Sequence, residues 1–228
     1  MEFSSVLKKL GRDSVFGEGV YVSEGEMSSA AVQLAEATRQ ENLAVAEGLR
    51  RHDPKLLDEL IVRYQHRLLR YLLYLTGNRE QAEDLFQEVW MRVLLRGAQY
   101  NGAARFDTWL FTIARNLVID LRRKRQMASL EELTEAGGME RSLDTVSTEK
   151  SPFEQLQRLE SGQLVAEALL ELEPLHREAI VLRFQEEMTL EEISQVTMAP
   201  LSTVKSRLYR GLAALRPRVA ALKERSGR

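Results

Sequence analysis

The chain has 228 residues, of which 44% are hydrophobic, 29% charged and 7% aromatic, with 32 Lys and Arg against 34 Asp and Glu. That length holds one or two compact domains, and a composition rich in Leu, Glu and Arg favours helices over sheets. The absence of cysteine excludes disulfide scaffolds, thiolate metal sites and thiol nucleophiles, and a net charge of −2 excludes a uniformly basic nucleic-acid binder but not local basic patches. The three histidines stand far apart, so no metal site is expected. No apolar run approaches the ~20 residues of a membrane span. The stretch from Met1 to Phe16 lacks the apolar core of a secretory signal. A cytoplasmic protein without membrane insertion is the expectation.

Residues 1–42 are rich in Gly, Ser and Glu and read as a mobile extension with one short helix after Ser28. Order is expected from Asp53-Pro54, an N-cap followed by proline at the first helical position. Leu57, Leu60, Ile61, Tyr64, Leu68, Tyr71, Leu72 and Leu75 then recur at helical steps, and Thr76-Gly77-Asn78 is the stop. A second helix is expected over 79–95, with Ala82, Leu85, Phe86, Val89, Trp90 and Val93 on its apolar side, and a third over 106–125. These define a domain at 43–126. Residues 127–155 lose the large apolar side chains and read as an acidic linker. Helical periodicity resumes at Phe153 and breaks at Pro174. It continues through Ala179, Ile180, Leu182 and Phe184, then over 189–197 and 202–216. A second domain is placed at 156–218, with a basic tail at 219–228. Strand-like alternation is absent, so the fold class is all-α: two helical domains on a flexible tether.

Charge is segregated along the chain. Met127 to Gln195 carries 16 acidic and 5 basic residues, whereas Pro200 to Arg228 carries 8 basic residues and the single acid Glu224. A second cationic cluster, Arg115 with Arg122, Arg123, Lys124 and Arg125, ends the third helix. Three motifs stand on this background. In the first, Thr189 and Glu192 form a capping box on a short helix, a tight turn follows, and a helix capped by Ser202 or its predecessor comes next; this is a helix-turn-helix. Val204, Leu208, Leu212 and Leu215 form the buried stripe of that last helix. Thr203, Lys205, Ser206, Arg207 and Arg210 form a face suited to the major groove, where Arg pairs with guanine and Lys neutralises phosphate. A merely solvated amphipathic face is the plainer alternative. The turn offers Met198 where such turns often hold Gly, and a left-handed Met198 costs roughly 1 kcal/mol.

The second motif runs from Phe106 through Trp109 and Ile113 to Arg115, Asn116 and the basic run. The aromatics follow core spacing. Arg115 and Asn116 suit unstacked bases, and the cations suit phosphates, with helix-dipole compensation as the alternative for the latter. In the third, Glu83, Asp84, Gln87 and Glu88 form an acidic strip on the second helix, either a solvated face or a docking surface for a basic, helical partner.

Taken in order, Ala82-Glu-Asp-Leu-Phe-Gln-Glu-Val, then Phe106 to Asn116, then Thr203-Val-Lys-Ser-Arg-Leu resemble the bacterial RNA polymerase sigma factors of the extracytoplasmic-function group, which keep the family's second and fourth regions. The resemblance covers about residues 45–125 and 155–217. It implies that Asp84, Leu85, Gln87 and Glu88 dock on the clamp helices of the core polymerase. It implies that Arg115, Asn116, Arg122, Arg123, Lys124 and Arg125 serve the −10 element. It assigns the −35 element to Ser202, Thr203, Lys205, Ser206, Arg207 and Arg210. It also implies contact with the polymerase flap and an anti-sigma partner. Ser202 stands where the family often has Gly. The two promoter elements lie about 25 base pairs apart, roughly 85 Å, and an extended linker of about 26 residues reaches at most about 85–90 Å.

Two rival functions fit part of the sequence. A dimeric helix-turn-helix regulator explains 189–213 but leaves the acidic strip and the Phe106–Arg125 stretch without a role. A helical interaction protein with no DNA role conflicts with the charge segregation. No enzyme is expected and no cofactor, because phosphate-cradling Gly loops and nucleophile–base arrangements are absent.

Overall fold

The computed structural model describes residues 29–135 and 160–226, and every regular element among them is helical. Helix α1 spans Ser29–Arg50, α2 Pro54–Thr76, α3 Arg79–Arg96 and α4 Phe106–Glu135, with a 3-10 turn at Gly97–Gln99. The second half holds α5 (Glu160–Leu170), α6 (Pro174–Ile180), a π-turn (Val181–Gln185), α7 (Leu190–Thr197) and α8 (Leu201–Ser226). The linker expected at 127–155 falls mostly outside the described residues, as do Phe153 and Leu156.

Local chemistry sets most boundaries. Asp53 accepts from the Lys55 and Leu56 amides at 2.9 and 3.5 Å, and Pro54 follows at the first helical position, so α2 starts where its orphan amides are satisfied. Gly77 ends it at φ 68°, its amide donating to the Leu73 carbonyl. Asn78 caps α3 by accepting from Gln81 N at 3.0 Å. Thr189 and Glu192 form the expected reciprocal capping box on α7, at 3.1 and 2.8 Å.

Four boundaries differ from the sequence expectation. Helix α1 is long rather than short, and order starts well before Asp53. Its Val45, Ala46 and Leu49 are buried, and a Cβ on Gly97 would lie 3.2 Å from Leu49 Cβ, so α1 lies close over the 3-10 turn. Gly102, at φ 74°, lets the following loop approach the Asn42 carbonyl. Helix α4 runs ten residues past 125 to Glu135, into the stretch read as linker. Helix α8 begins at Leu201: the Thr203 and Val204 amides bond the Pro200 carbonyl at 2.9 and 3.0 Å, so Ser202 lies inside the first turn instead of capping it. The same helix continues through Pro217 to Ser226, where the sequence suggested a stop at 216. Beside the proline, Arg218 bonds the Ala214 carbonyl at 2.8 Å and pairs with Glu171, just past α5, at 3.4 Å, tying the continuing helix down.

Buried side chains fill each half. Leu60, Leu68, Tyr71, Leu72, Ala82, Val89, Val93, Leu110 and Phe111 pack α2, α3 and α4 together. Tyr64, Tyr100, Phe106 and Trp109 form an aromatic cluster with centroids 5.2–5.8 Å apart. The Tyr100 hydroxyl donates to the Ala104 carbonyl at 2.7 Å and closes the loop into α4. In the second half, Ile193, Val196, Val204, Leu208, Leu212 and Leu215 build the core of the helix-turn-helix. Gly211 allows α8 to press against α6, since a Cβ there would lie 3.2 Å from the His176 carbonyl.

The halves also pack on each other. Helix α7 lies against α4, and α6 against α2. Arg177 of α6 donates to the Tyr74 carbonyl at 2.7 Å and to Leu172 O at 3.0 Å, while Arg122 of α4 donates to the Leu75 carbonyl. Two guanidinium groups thus cap the negative end of the α2 dipole. Burial, with Arg122 nearby, pulls the Arg177 guanidinium below its ordinary range.

Candidate nucleic-acid interface

The helix-turn-helix is built around Met198, which takes φ 50° and ψ 34°, the left-handed conformation the missing turn glycine implies. The Ala199 amide bonds Ser194 O at 3.3 Å, and the Ser194 hydroxyl donates to Ala199 O at 2.6 Å, so the turn is closed from both sides. Pro200 lies between the two helices, its carbonyl accepting the first amides of α8. Val204, Leu208, Leu212 and Leu215 point inward as their spacing predicts. Opposite them, Ser202, Lys205, Ser206 and Arg210 are exposed, and Thr203 and Arg207 are half-buried. Ser202, Thr203, Ser206, Arg207 and Arg210 line a groove whose far wall is Leu175 and His176 of α6 and Glu173 at its N-cap. Sequence reasoning missed that wall, which lies a helix away from the motif. His176 Nδ1 is 3.3 Å from Glu173. Arg207 Nη1 is buried without a hydrogen-bond partner.

Helix α4 carries the second cationic set. Phe106 is buried, and Trp109 and Ile113 are half-buried, as core spacing requires. Asn116 is half-buried. Arg115 is only 12% exposed and pairs with Glu178 of α6 at 2.8 Å. The basic run splits: Arg122 bonds α2, Arg123 pairs with Asp120 at 3.4 Å, and Arg123, Lys124 and Arg125 are exposed. Arg122, itself exposed, thus also holds the end of α2, a helix other than its own.

On α3, Asp84, Gln87 and Glu88 are exposed, while Leu85 is buried beneath them. Glu83 pairs with Arg79 at 2.7 Å and Glu88 with Arg92 at 3.0 Å. The same face continues into Met91 and Leu95, 51% and 76% exposed. Their helical spacing of four from Gln87 and Met91 was readable, but apolar residues there look like core until burial is known.

The chain matches the family model for sigma-70 region 2 over residues 60–127 and that for sigma-70 region 4 over residues 162–215. It is 33% identical to the ECF RNA polymerase sigma factor SigL of Mycobacterium tuberculosis over 150 residues, 65% of this chain and 80% of that one. The chain belongs to the extracytoplasmic-function RNA polymerase sigma factors. SigW of Bacillus subtilis is 28% identical over 176 residues, 76% of this chain and 94% of that protein. Among solved structures, the sigma factor RpoE of Bartonella quintana, in complex with the anti-sigma factor NepR, shares the fold at a TM-score of 0.57 and 24% identity, covering 73% of this chain and 96% of that one. As a sigma factor the protein directs RNA polymerase to promoters, which rules out the stand-alone regulator and the interaction protein without a DNA role. Sigma factors are non-enzymatic initiation factors. Among the described residues no helix is long and apolar enough to cross a membrane.

Proposed function

We propose that this sigma factor divides its work among three surfaces. The α8 face of Ser202, Thr203, Lys205, Ser206, Arg207 and Arg210 reads the −35 element in the major groove. Helix α4 takes the −10 element, with Arg115 and Asn116 at the displaced bases and Arg123, Lys124 and Arg125 along the phosphates. The α3 strip of Asp84, Gln87 and Glu88, extended by exposed Met91 and Leu95, docks on the clamp helices of core polymerase. Leu85 supports that strip from below, and the second domain also meets the flap. Residues 43–126 and 156–218 form the two working domains, with α1 as part of the first.

The observation that carries this reading is the presence of a separate cationic helix face in each family region, Arg123, Lys124 and Arg125 on α4 and Lys205, Arg207 and Arg210 on α8. Helices that track phosphates need such faces, and base readout needs donors beside them. The protein performs no catalytic step of its own, needs no cofactor and works in the cytoplasm with the polymerase. An anti-sigma factor controls it, as in the complexes of RpoE with NepR and of CnrH with the cytosolic domain of CnrY. The test is transcription from a promoter library by purified core polymerase, with and without the protein. New start sites are expected only with it, and Asp84→Arg should abolish co-purification with core while leaving helicity unchanged. Unaltered start sites, or normal co-purification of the variant, would overturn the assignment.

A further inference from the structure

Leu175, His176 and Glu173 face Ser202, Thr203, Ser206, Arg207 and Arg210 across a groove of about 370 Å³. The approach of this wall to α8 is fixed. A Cβ on Gly211 would stand 2.8 Å from Ile180 Cδ1 and 3.2 Å from His176 Cβ, so α6 lies directly on α8. The His176 amide donates to Glu173 O at 3.0 Å, and His176 Nδ1 stands 3.3 Å from Glu173 Oε2. A carboxylate at that distance holds a ring proton on Nδ1 and leaves Nε2 as the free nitrogen. The imidazole is 19% exposed and the Glu173 side chain 60%, so the pair belongs to the rim of the groove and not to the core.

Position decides what reaches that nitrogen. By helical spacing Thr203, Arg207 and Arg210 lie on one flank of α8, and Lys205 and Tyr209 on the other. A helix seated in the major groove, about 12 Å wide, has base edges in front of it and a sugar–phosphate strand along each flank. The α6 wall extends the flank of Thr203, Arg207 and Arg210 sideways, so it lies over a strand and not over base edges. The charged groups facing the imidazole are Glu173 beside it and Arg207 and Arg210 across the groove. The neighbouring charges turn elsewhere: Arg177 to the Tyr74 and Leu172 carbonyls, Glu178 to Arg115, and Glu171 to Arg218.

We propose that His176 is a further phosphate contact of the −35 site, its imidazole charged between Glu173 at Nδ1 and a backbone phosphate at Nε2. The proposal rests on the assignment of the α8 face to the −35 element. Two anions on opposite ring nitrogens favour the doubly protonated ring. Binding therefore draws a proton from solvent onto Nε2 wherever the free imidazole is neutral. The contact carries no sequence information; it fixes the depth and angle at which α8 enters the groove. Glu173 is a positioning residue, since it touches the ring and not the DNA.

The test measures the affinity of holoenzyme, reconstituted from the full chain and core polymerase, for a promoter fragment at pH 8 and at pH 6. Polymerase groups titrate over the same range, so the readout is the difference between the parent and His176→Gln. On going to pH 6 the parent should gain roughly three- to tenfold more than the variant, as linked uptake of part of a proton requires. Glu173→Gln should shrink that extra gain, and because the Glu173 side chain makes no capping bond on α6, the change removes no helix start. Replacing one backbone phosphate beside the −35 element by a neutral methylphosphonate should abolish the gain, and the same replacement elsewhere should not. Equal pH profiles for the parent and His176→Gln overturn the proposal. So does a loss of affinity that is the same at both pH values, the mark of a purely structural role, and so does a gain that survives every single phosphate replacement. Failure of the underlying −35 assignment reads differently: Arg210→Ala and a scrambled −35 sequence would then each leave the affinity unchanged at both pH values.

Discussion

Met198 sits at the turn of the helix-turn-helix with φ 50° and a side chain 73% exposed. Its left-handed backbone carries a steric cost, and its exposure means little packing is lost on truncation. Met198→Gly should therefore stabilise the protein by about 0.5–1 kcal/mol, the relieved strain being partly offset by the greater unfolded-state entropy of Gly. The midpoint of urea unfolding checks this, and a lower midpoint contradicts it. Arg207 lies at the half-buried edge of the recognition face, with Nη1 buried and unpartnered. That nitrogen meets a base-edge acceptor only when the side chain swings out of its buried position, where it has no partner to lose. Arg207→Ala should cost about 1–3 kcal/mol at one −35 position and relax selectivity there. Equal affinity for all four bases in both proteins would refute the contact. Tyr71 belongs to the same scale: burial, reinforced by Glu178, pushes its phenol well above the ordinary range, so it stays a neutral donor to that carboxylate at any working pH.

At the scale of elements, the difference between α1 and α2 is instructive. Helix α2 has an Asp-Pro start, a Gly stop and an unbroken apolar stripe, all local, and its bounds were readable from the sequence. Among the described side chains of α1, those buried are Val45, Ala46 and Leu49, at its C-terminal end, and what makes them core is the 3-10 turn half a domain away. Leu49→Ala should destabilise the protein by about 2–3 kcal/mol; a change within error would return the segment to the status of an appendage. The ends of α4 and α8 escaped notice for a related reason. The large apolar residues thin out after Arg125, but the helix runs on to Glu135. At Pro217 the tie of Arg218 to Glu171 is tertiary. The site followed the same division. The capping box, the inward stripe of α8 and the exposed acids of α3 follow from spacing within one helix. The pairing of Arg115 with Glu178, 63 residues away, and the burial of Glu186 carry no local signature.

At the scale of the whole molecule, segregated charge has two different uses. Part of it is internal. Burial pulls the Arg67 guanidinium down, and Glu186 with Asp107 more than reverses this, leaving it above its ordinary value. A cation held this way is already neutralised by protein and displaces few counterions when the molecule reaches DNA. The rest is external. Lys124 and Arg125 project from α4 into solvent, in contrast to Arg122, which holds the α2 terminus. The division makes the salt dependence of promoter binding selective by residue. Lys124→Gln with Arg125→Gln should reduce the slope of log affinity against log salt for the polymerase–promoter complex by about 1.4–1.8, two phosphate contacts at about 0.7–0.9 each. Arg122→Gln should instead lower the unfolding midpoint through the lost cap on α2 and leave that slope nearly unchanged. Titrating open-complex formation between low and moderate salt separates the two outcomes. Identical slopes for the Lys124/Arg125 variant and the parent would place those cations off the DNA and confine the phosphate-tracking surface of α4 to its Arg115 end.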